Sequence, residues 1–219
     1  LLDGVVMSTD LPATSAAAPA TVSAVGGDFY LSNMGGDAGV FINGSTQVIA
    51  TDIDPSEGNG DANGVVHVID RTLVPPSEDI VAIAIAQGFS ELAAALTEAG
   101  LVSTLQGSGP FTVFAPTDAA FDALYASLGA SGPADVDDAT LEAVLLYHVL
   151  GLRAFSSDLE DGLSATTLSN GETFTVNFTN DGVTLTDGTN ADANVTATDV
   201  LGTNGVIHVI DQVILPSSK

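Results

Sequence analysis

Two stretches of the chain carry the same order of apolar and polar positions. GVVHVIDRTLVP (Gly64–Pro75) and GVIHVIDQVILP (Gly205–Pro216) are runs of β-branched residues, each opened by Asn-Gly and closed by Pro. That composition predicts a strand buried on both faces, set between a turn and a chain exit. The match continues upstream: Ala50–Ile53 (ATDI) parallels Ala197–Val200 (ATDV), and Ser8–Leu11 (STDL) parallels Ser156–Leu159 (SSDL). Repetition of this kind marks repeated structural modules. It is lopsided, because residues 1–77 match roughly residues 149–218 and nothing ahead of Leu1 matches residues 78–148. The expectation is the back half of one module over residues 1–76, joined without a flexible linker at Pro75-Pro76 to a complete module over residues 77–219.

Between the repeats the period changes. Asp28–Asn43 alternates short apolar clusters with Gly and Asn, which predicts hairpin strands, and Leu11–Ala24, rich in Ala, Pro, Ser and Thr, predicts a surface excursion. Ser77-Glu78-Asp79 is a helix start ahead of IVAIAIA, and Ser90-Glu91 opens a second helix with Leu92 and Leu96 on one face and Gly100 as its stop. Phe111–Ala115 reads as a strand. Thr117 caps a third helix in which Phe121, Leu124, Tyr125 and Leu128 recur at helical spacing, and a fourth helix runs from about Thr140 to His148, with Asp138 or Thr140 as its cap. From Thr166 onward short alternating runs separated by Asn-Gly and Asp-Gly turns read as strands. Helices grouped ahead of strands make an α+β fold.

Three of these segments together carry a resemblance. TVFAPTDAAF (Thr112–Phe121), Tyr147-His148 and GVIHVIDQVILP, in this order and spacing, resemble the fasciclin (FAS1) domain. The resemblance covers residues 77–218 and, for the later motifs, residues 1–77 again. It implies a fasciclin-like fold, helices followed by a mostly antiparallel β-wedge or sandwich, as two modules in tandem with the first incomplete. It also implies an extracellular, secreted or cell-surface adhesion or matrix-type binding module without catalytic activity or cofactor. Expected partners are other surface proteins, glycans or copies of itself. By the same resemblance Tyr147 and His148 form the pair implicated in receptor adhesion in some animal members. The flanking leucines point to a packed, structural role as the alternative. His67, Asp70, Thr117, Asp118, His208 and Asp211 fall within the signature segments or their repeat, and are read as structural.

Charge narrows the range of partners. Against 28 acidic residues the chain has three Lys and Arg, a formal net charge of −25. Such a surface repels phosphate backbones and anionic lipid, which excludes nucleic-acid binding and a basic membrane patch. The near-absence of Lys resembles proteins of halophilic or marine organisms. No apolar run approaches the ~18–20 residues of a membrane span. There is no Cys, so disulfides, thiolate catalysis and Cys-based zinc sites are excluded. The chain opens at Leu1 with neither a Met nor a signal peptide, the expectation for a processed or trimmed product.

Candidate chemistry is sparse. No GxSxG elbow, Walker motif, GxGxxG or HExxH occurs. His208 and Asp211 fall on opposite faces of a strand and do not converge as an acid–base pair, and the recurrence of the histidine as His67 points to a core role. Thr117-Asp118 reads as a cap with a first-turn acid. The loop Asp52–Gly64 is six residues longer than its counterpart Asp199–Gly205 and sets oxygens at Asp52, Asp54, Asn59, Asp61 and Asn63. Such oxygens suit Ca²⁺, although the loop lacks the EF-hand's terminal Glu, and an ordinary acidic Gly-rich turn is the alternative. Asn43, Asn177 and Asn194 head formal glycosylation sequons. A second functional expectation follows from the half-module: a structural subunit of a surface layer or filament, in which neighbouring chains complete one another.

Overall fold

The computed structural model describes residues 6–11, 20–24, 27–33, 39–53, 64–189 and 191–217. The chain divides into two compact units, residues 1–75 with 154–158, and residues 76–153 with 159–219.

The first unit is a meander. Strands β1 (Ala20–Ala24), β2 (Gly27–Asn33), β3 (Val40–Ile42), β4 (Thr46–Ile53) and β5 (Val66–Ile69) pair in that order, every described pairing antiparallel. The predicted hairpin over Asp28–Asn43 is β2 and β3, joined in register from Leu31↔Ile42 to Asn33↔Val40. Leu31 and Ile42 are buried, and Tyr30 lies 5.9 Å from Phe155 between ring centroids. One expectation fails here. β5 is not buried on both faces: Val66 is 46% exposed and Val68 38%. The strand has the right residues, but burial comes from what packs on it, and among the described residues nothing covers that face.

The second unit begins with the helices. α1 (Ile80–Ala86) is capped by Asp79, whose carboxylate accepts the Ala82 N–H. It buries Ile80, Val81 and Ala84. α2 (Ser90–Glu98) buries Leu92, Ala95 and Leu96 and ends before Gly100, at φ +65°. A short α3 (Val102–Leu105), which periodicity over so few residues does not reveal, follows. β6 (Phe111–Pro116) then leads to Thr117 and α4 (Asp118–Leu128), closed by Gly129 in the left-handed region. α5 (Asp138–Tyr147) is capped by Asp137, one residue ahead of the caps expected from sequence. Its carboxylate accepts both the N–H and the hydroxyl of Thr140.

The sheet of this unit runs β7 (Val149–Leu150), β6, β12 (Gly205–Ile210), β11 (Asp192–Leu201), β10 (Gly182–Thr186), β9 (Thr173–Thr179), β8 (Leu163–Thr166). β7 and β8 are short strands that the alternation pattern does not announce. Among its described pairings only β6–β12 is parallel, running from Gly205↔Phe111 to Ile210↔Pro116. β12 is buried on both faces, as expected. Ile207 joins the helical core with Ile80, Leu92, Leu105 and Val113, and burying such a side chain is worth about 1.5–3 kcal/mol. His208 points the other way, stacked 5.2 Å from Phe114, which meets Phe174 edge-on at 5.1 Å. One parallel strand and a helical layer thus make β12 the centre of this unit.

Candidate functional site

The repeated histidines hold backbone. β4 and β11 each contain register shifts opposite β5 and β12, and in each an Asp adopts a left-handed conformation, Asp52 at φ +55° and Asp199 at φ +62°. The N–H of Asp52 donates to Nδ1 of His67 (3.3 Å), and that of Asp199 donates to Nδ1 of His208 (3.4 Å). A bulge leaves a backbone group out of the ladder, and the imidazole receives it. In the first copy the other ring nitrogen donates to the Val6 carbonyl at 2.9 Å. The Asp52 carboxylate accepts the hydroxyl and the N–H of Ser8, and these two bonds hold its pKa below the usual carboxylate range.

The repeated aspartates clamp the opposite end of the same pairings. Asp70 accepts the Gln47 N–H at 2.9 Å. Asp211 accepts the Asn194 N–H and its side-chain amide, each at 2.7 Å. His208 and Asp211 therefore work on different strand positions and do not meet. Thr117 caps α4 through the Ala120 N–H, as read. Asp118 does something the local pattern does not show: its carboxylate accepts the Glu91 N–H at 3.0 Å, capping α2. α2 has no side-chain cap of its own, so its N-terminus is satisfied from α4.

Tyr147 and His148 are both buried, at 0% and 2% exposure, and offer no surface to a partner. The Tyr147 hydroxyl donates to the Thr173 carbonyl at 2.8 Å, and burial pushes its pKa up to about 12. His148 Nδ1–H donates to Val144 O at 2.7 Å, while Nε2 accepts the Ile214 N–H at 3.0 Å. Both nitrogens are occupied with the neutral ring in one tautomer, and burial lowers its pKa to about 4.

Three further polar residues organise this unit. Asn204 accepts the Ile80 N–H and donates to the carbonyls of Leu105 and Gly107, tying α1 and α3 to the start of β12. Buried Arg153 donates to the carbonyls of Gly202, Thr203 and Gly205. Asp187 accepts N–H groups from Thr189, Ala191 and Leu215. The Asn-Gly opening the repeat was the one signal for Asn204; for Arg153 the signal was its rarity in so acidic a chain.

Of the proposed calcium loop, Asp52 is bound to Ser8, and Asp54, Asn59, Asp61 and Asn63 lie outside the described residues. Among the described residues no three His, Asp or Glu side chains gather as a metal site. The amide nitrogens of two sequon residues are engaged, Asn177 with the Thr186 hydroxyl (2.8 Å) and Asn194 with Asp211. Asn43 accepts the Tyr30 N–H at 2.9 Å.

This is an α+β scaffold in which the buried polar side chains secure bulges, caps and turns. The fasciclin domain family matches residues 87–216, and the chain belongs to that family. It is similar to the transforming growth factor-beta-induced protein ig-h3 of Sus scrofa, 35% identical over 162 residues, which are 71% of this chain and 22% of that one. Protein sll1483 of Synechocystis sp. is 41% identical over 128 residues, 58% of this chain and 67% of the relative. Among solved structures, a FAS1 domain pair from the insect cell adhesion molecule fasciclin I shares the fold, with a TM-score of 0.58 at 18% identity. That likeness covers 90% of this chain and 66% of the other. No described helix is long and apolar enough to cross a membrane.

Proposed function

We propose that this chain is an extracellular adhesion or matrix-type binding module without catalytic activity, which engages other surface proteins or glycans through its loops and sheet edges. The observation that carries the reading is the use of the histidines. His67 and His148 each spend both ring nitrogens on backbone groups, and His208 spends Nδ1 the same way. General acid–base work needs such a ring within reach of a reacting proton, not committed to the fold. Family membership and the fold shared with a cell adhesion molecule support the same assignment. Buried Tyr147 and His148 then act by shaping the scaffold, and partner contacts fall to exposed loops. The test is attachment of cells to surfaces coated with native chain, acid-unfolded chain or an inert protein. Attachment confined to the native coat supports the module; equal attachment to all three removes it.

A filament or surface-layer subunit is the second reading, and the exposed β5 face favours it. Sedimentation velocity across protein concentration decides: assembly supports it, and a monomer throughout excludes it.

A further inference from the structure

One buried polar group in the second unit has nothing to bind. Tyr125 is 3% exposed, and its hydroxyl makes no hydrogen bond among the described residues. Leaving such a group unpaired is costly, and in a native fold it calls for a reason. Its neighbours are acidic. Asp118, Asp122 and Tyr125 fall at positions i, i+4 and i+7 of α4, on one face of that helix. The Asp118 carboxylate, by accepting the Glu91 N–H at 3.0 Å, brings the start of α2 alongside. Burial, with the charges of Glu91 and Asp122 adding to it, pushes the Tyr125 pKa up to about 12. Those two anions are therefore near neighbours of the phenol oxygen, yet neither accepts its proton.

The group is rich in acceptors and poor in donors. Carboxylates only accept, one Asp118 oxygen is already spent on α2, and the phenol offers a single proton. Asp122 is exposed, and Glu91 and Asp118 are half-buried, so the cluster opens to solvent. What it lacks is positive charge carrying several N–H groups. A bare metal ion does not fit, since among the described residues no three acidic side chains stand close enough to share one. A guanidinium is wider: it spreads five N–H groups over a rigid plane, pairs with carboxylates and lies well against aromatic rings. Tyr125 supplies such a ring, with Phe121 beside it at 5.8 Å between centroids.

We infer that Glu91, Asp122 and the Tyr125 hydroxyl form a receptor for an arginine side chain of a partner protein, with Asp118 fixing α2 against α4. The guanidinium donates to the two carboxylates and to the phenol oxygen, and the phenol in turn donates to Glu91. The orphaned hydroxyl is then satisfied in both directions. The site is on α2 and α4 rather than on loops or sheet edges, and it stands whether or not the chain mediates attachment. A net charge of −25 gathers cations of every kind, so the test has to separate this site from that general attraction.

The experiment titrates the whole chain with N-acetyl-arginine amide and, separately, with N-acetyl-lysine amide in about 0.15 M NaCl, where the Debye length is about 8 Å. Amide NMR shifts of Glu91, Asp122 and Tyr125 report binding. The arginine probe should bind at least about 10-fold more tightly than the lysine probe, and Tyr125→Phe should remove that preference. Glu91→Gln and Asp122→Asn should each weaken arginine binding by about 5-fold or more. Tyr125→Phe deletes an unpaired group, so its Tm should equal or exceed that of the native chain. No shift at these amides would overturn the inference. So would equal binding of the two probes, or binding that Tyr125→Phe leaves unchanged, since only diffuse attraction to an acidic surface would then remain. A lower Tm in Tyr125→Phe would overturn it as well, because the hydroxyl would already have a partner.

Discussion

Acid should weaken this protein from about pH 6.5 downward, and His148 is the reason. The ring is fully buried, with Nδ1–H on Val144 O and Nε2 receiving the Ile214 N–H. A second proton would have to sit on Nε2, where it faces a donor and has no acceptor. The folded-state pKa is therefore depressed from 6.5 to about 4, while the unfolded chain keeps an ordinary imidazole. Between those values the unfolded state binds the extra proton and the folded state does not. His148's contribution is thus complete above about pH 6.5 and is lost progressively as pH falls towards 4. At 1.36 kcal/mol per unit the whole loss is about 3 kcal/mol, of which about 2 kcal/mol is gone by pH 5. That is a large part of a typical stability of about 5–15 kcal/mol. Relief of acidic repulsion acts in the opposite direction, so the measurement belongs in about 1 M NaCl, where the Debye length is about 3 Å. The assay is urea unfolding from pH 7.5 to 5.0 for the native chain and His148→Gln, a variant that is less stable at neutral pH but has no imidazole to charge. Its pH dependence should be flatter by about 2 kcal/mol over that range. Equal slopes in the two proteins would refute the reasoning, as would an imidazole NMR titration placing His148 near pH 6.5.

Other perturbations test other parts of the fold. Raising NaCl from low salt to about 1 M should raise Tm, because 28 acidic residues face three basic ones; a flat or falling curve would show that repulsion does not limit stability. His208→Ala removes the ring stacked on Phe114 and orphans the Asp199 N–H, for a cost of about 1–3 kcal/mol in denaturant unfolding with attachment by the folded fraction unchanged; lost attachment at full stability would reverse that assignment. Calorimetric titration should show no micromolar Ca²⁺ binding, and binding abolished by Asp54→Ala and Asp61→Ala would establish a site in the 52–64 loop.

Much of the fold could be read from local pattern. The helices at Ile80 and Asp118 begin where a capping side chain precedes an apolar period, and the repeat led to the paired bulge histidines. What escaped was settled by partners distant in sequence. Periodicity described β5 and β12 equally well, yet one is exposed and the other buried, because cover is supplied by other elements. Asp118 looks like a first-turn acid of its own helix and caps another, 27 residues earlier. Asn204 looks like a turn residue, yet it bonds Ile80, 124 positions away. Tyr147 and His148 were recognisable as a motif, but no feature of a dipeptide distinguishes a contact surface from a core wedge.

The inward-facing guanidinium of Arg153 also shapes how the molecule meets others at a distance. Of the three cationic side chains, Arg153 is consumed by carbonyls, Lys219 lies outside the described residues, and Arg71 stands exposed beside Asp70. The far field of the described surface therefore has one sign in nearly every direction. Such a field draws a cationic partner in from all sides and does little to orient it. On the proposed adhesion reading, selectivity is then decided at contact, by the fit of loops and sheet edges, after the long-range attraction has done no more than gather candidates.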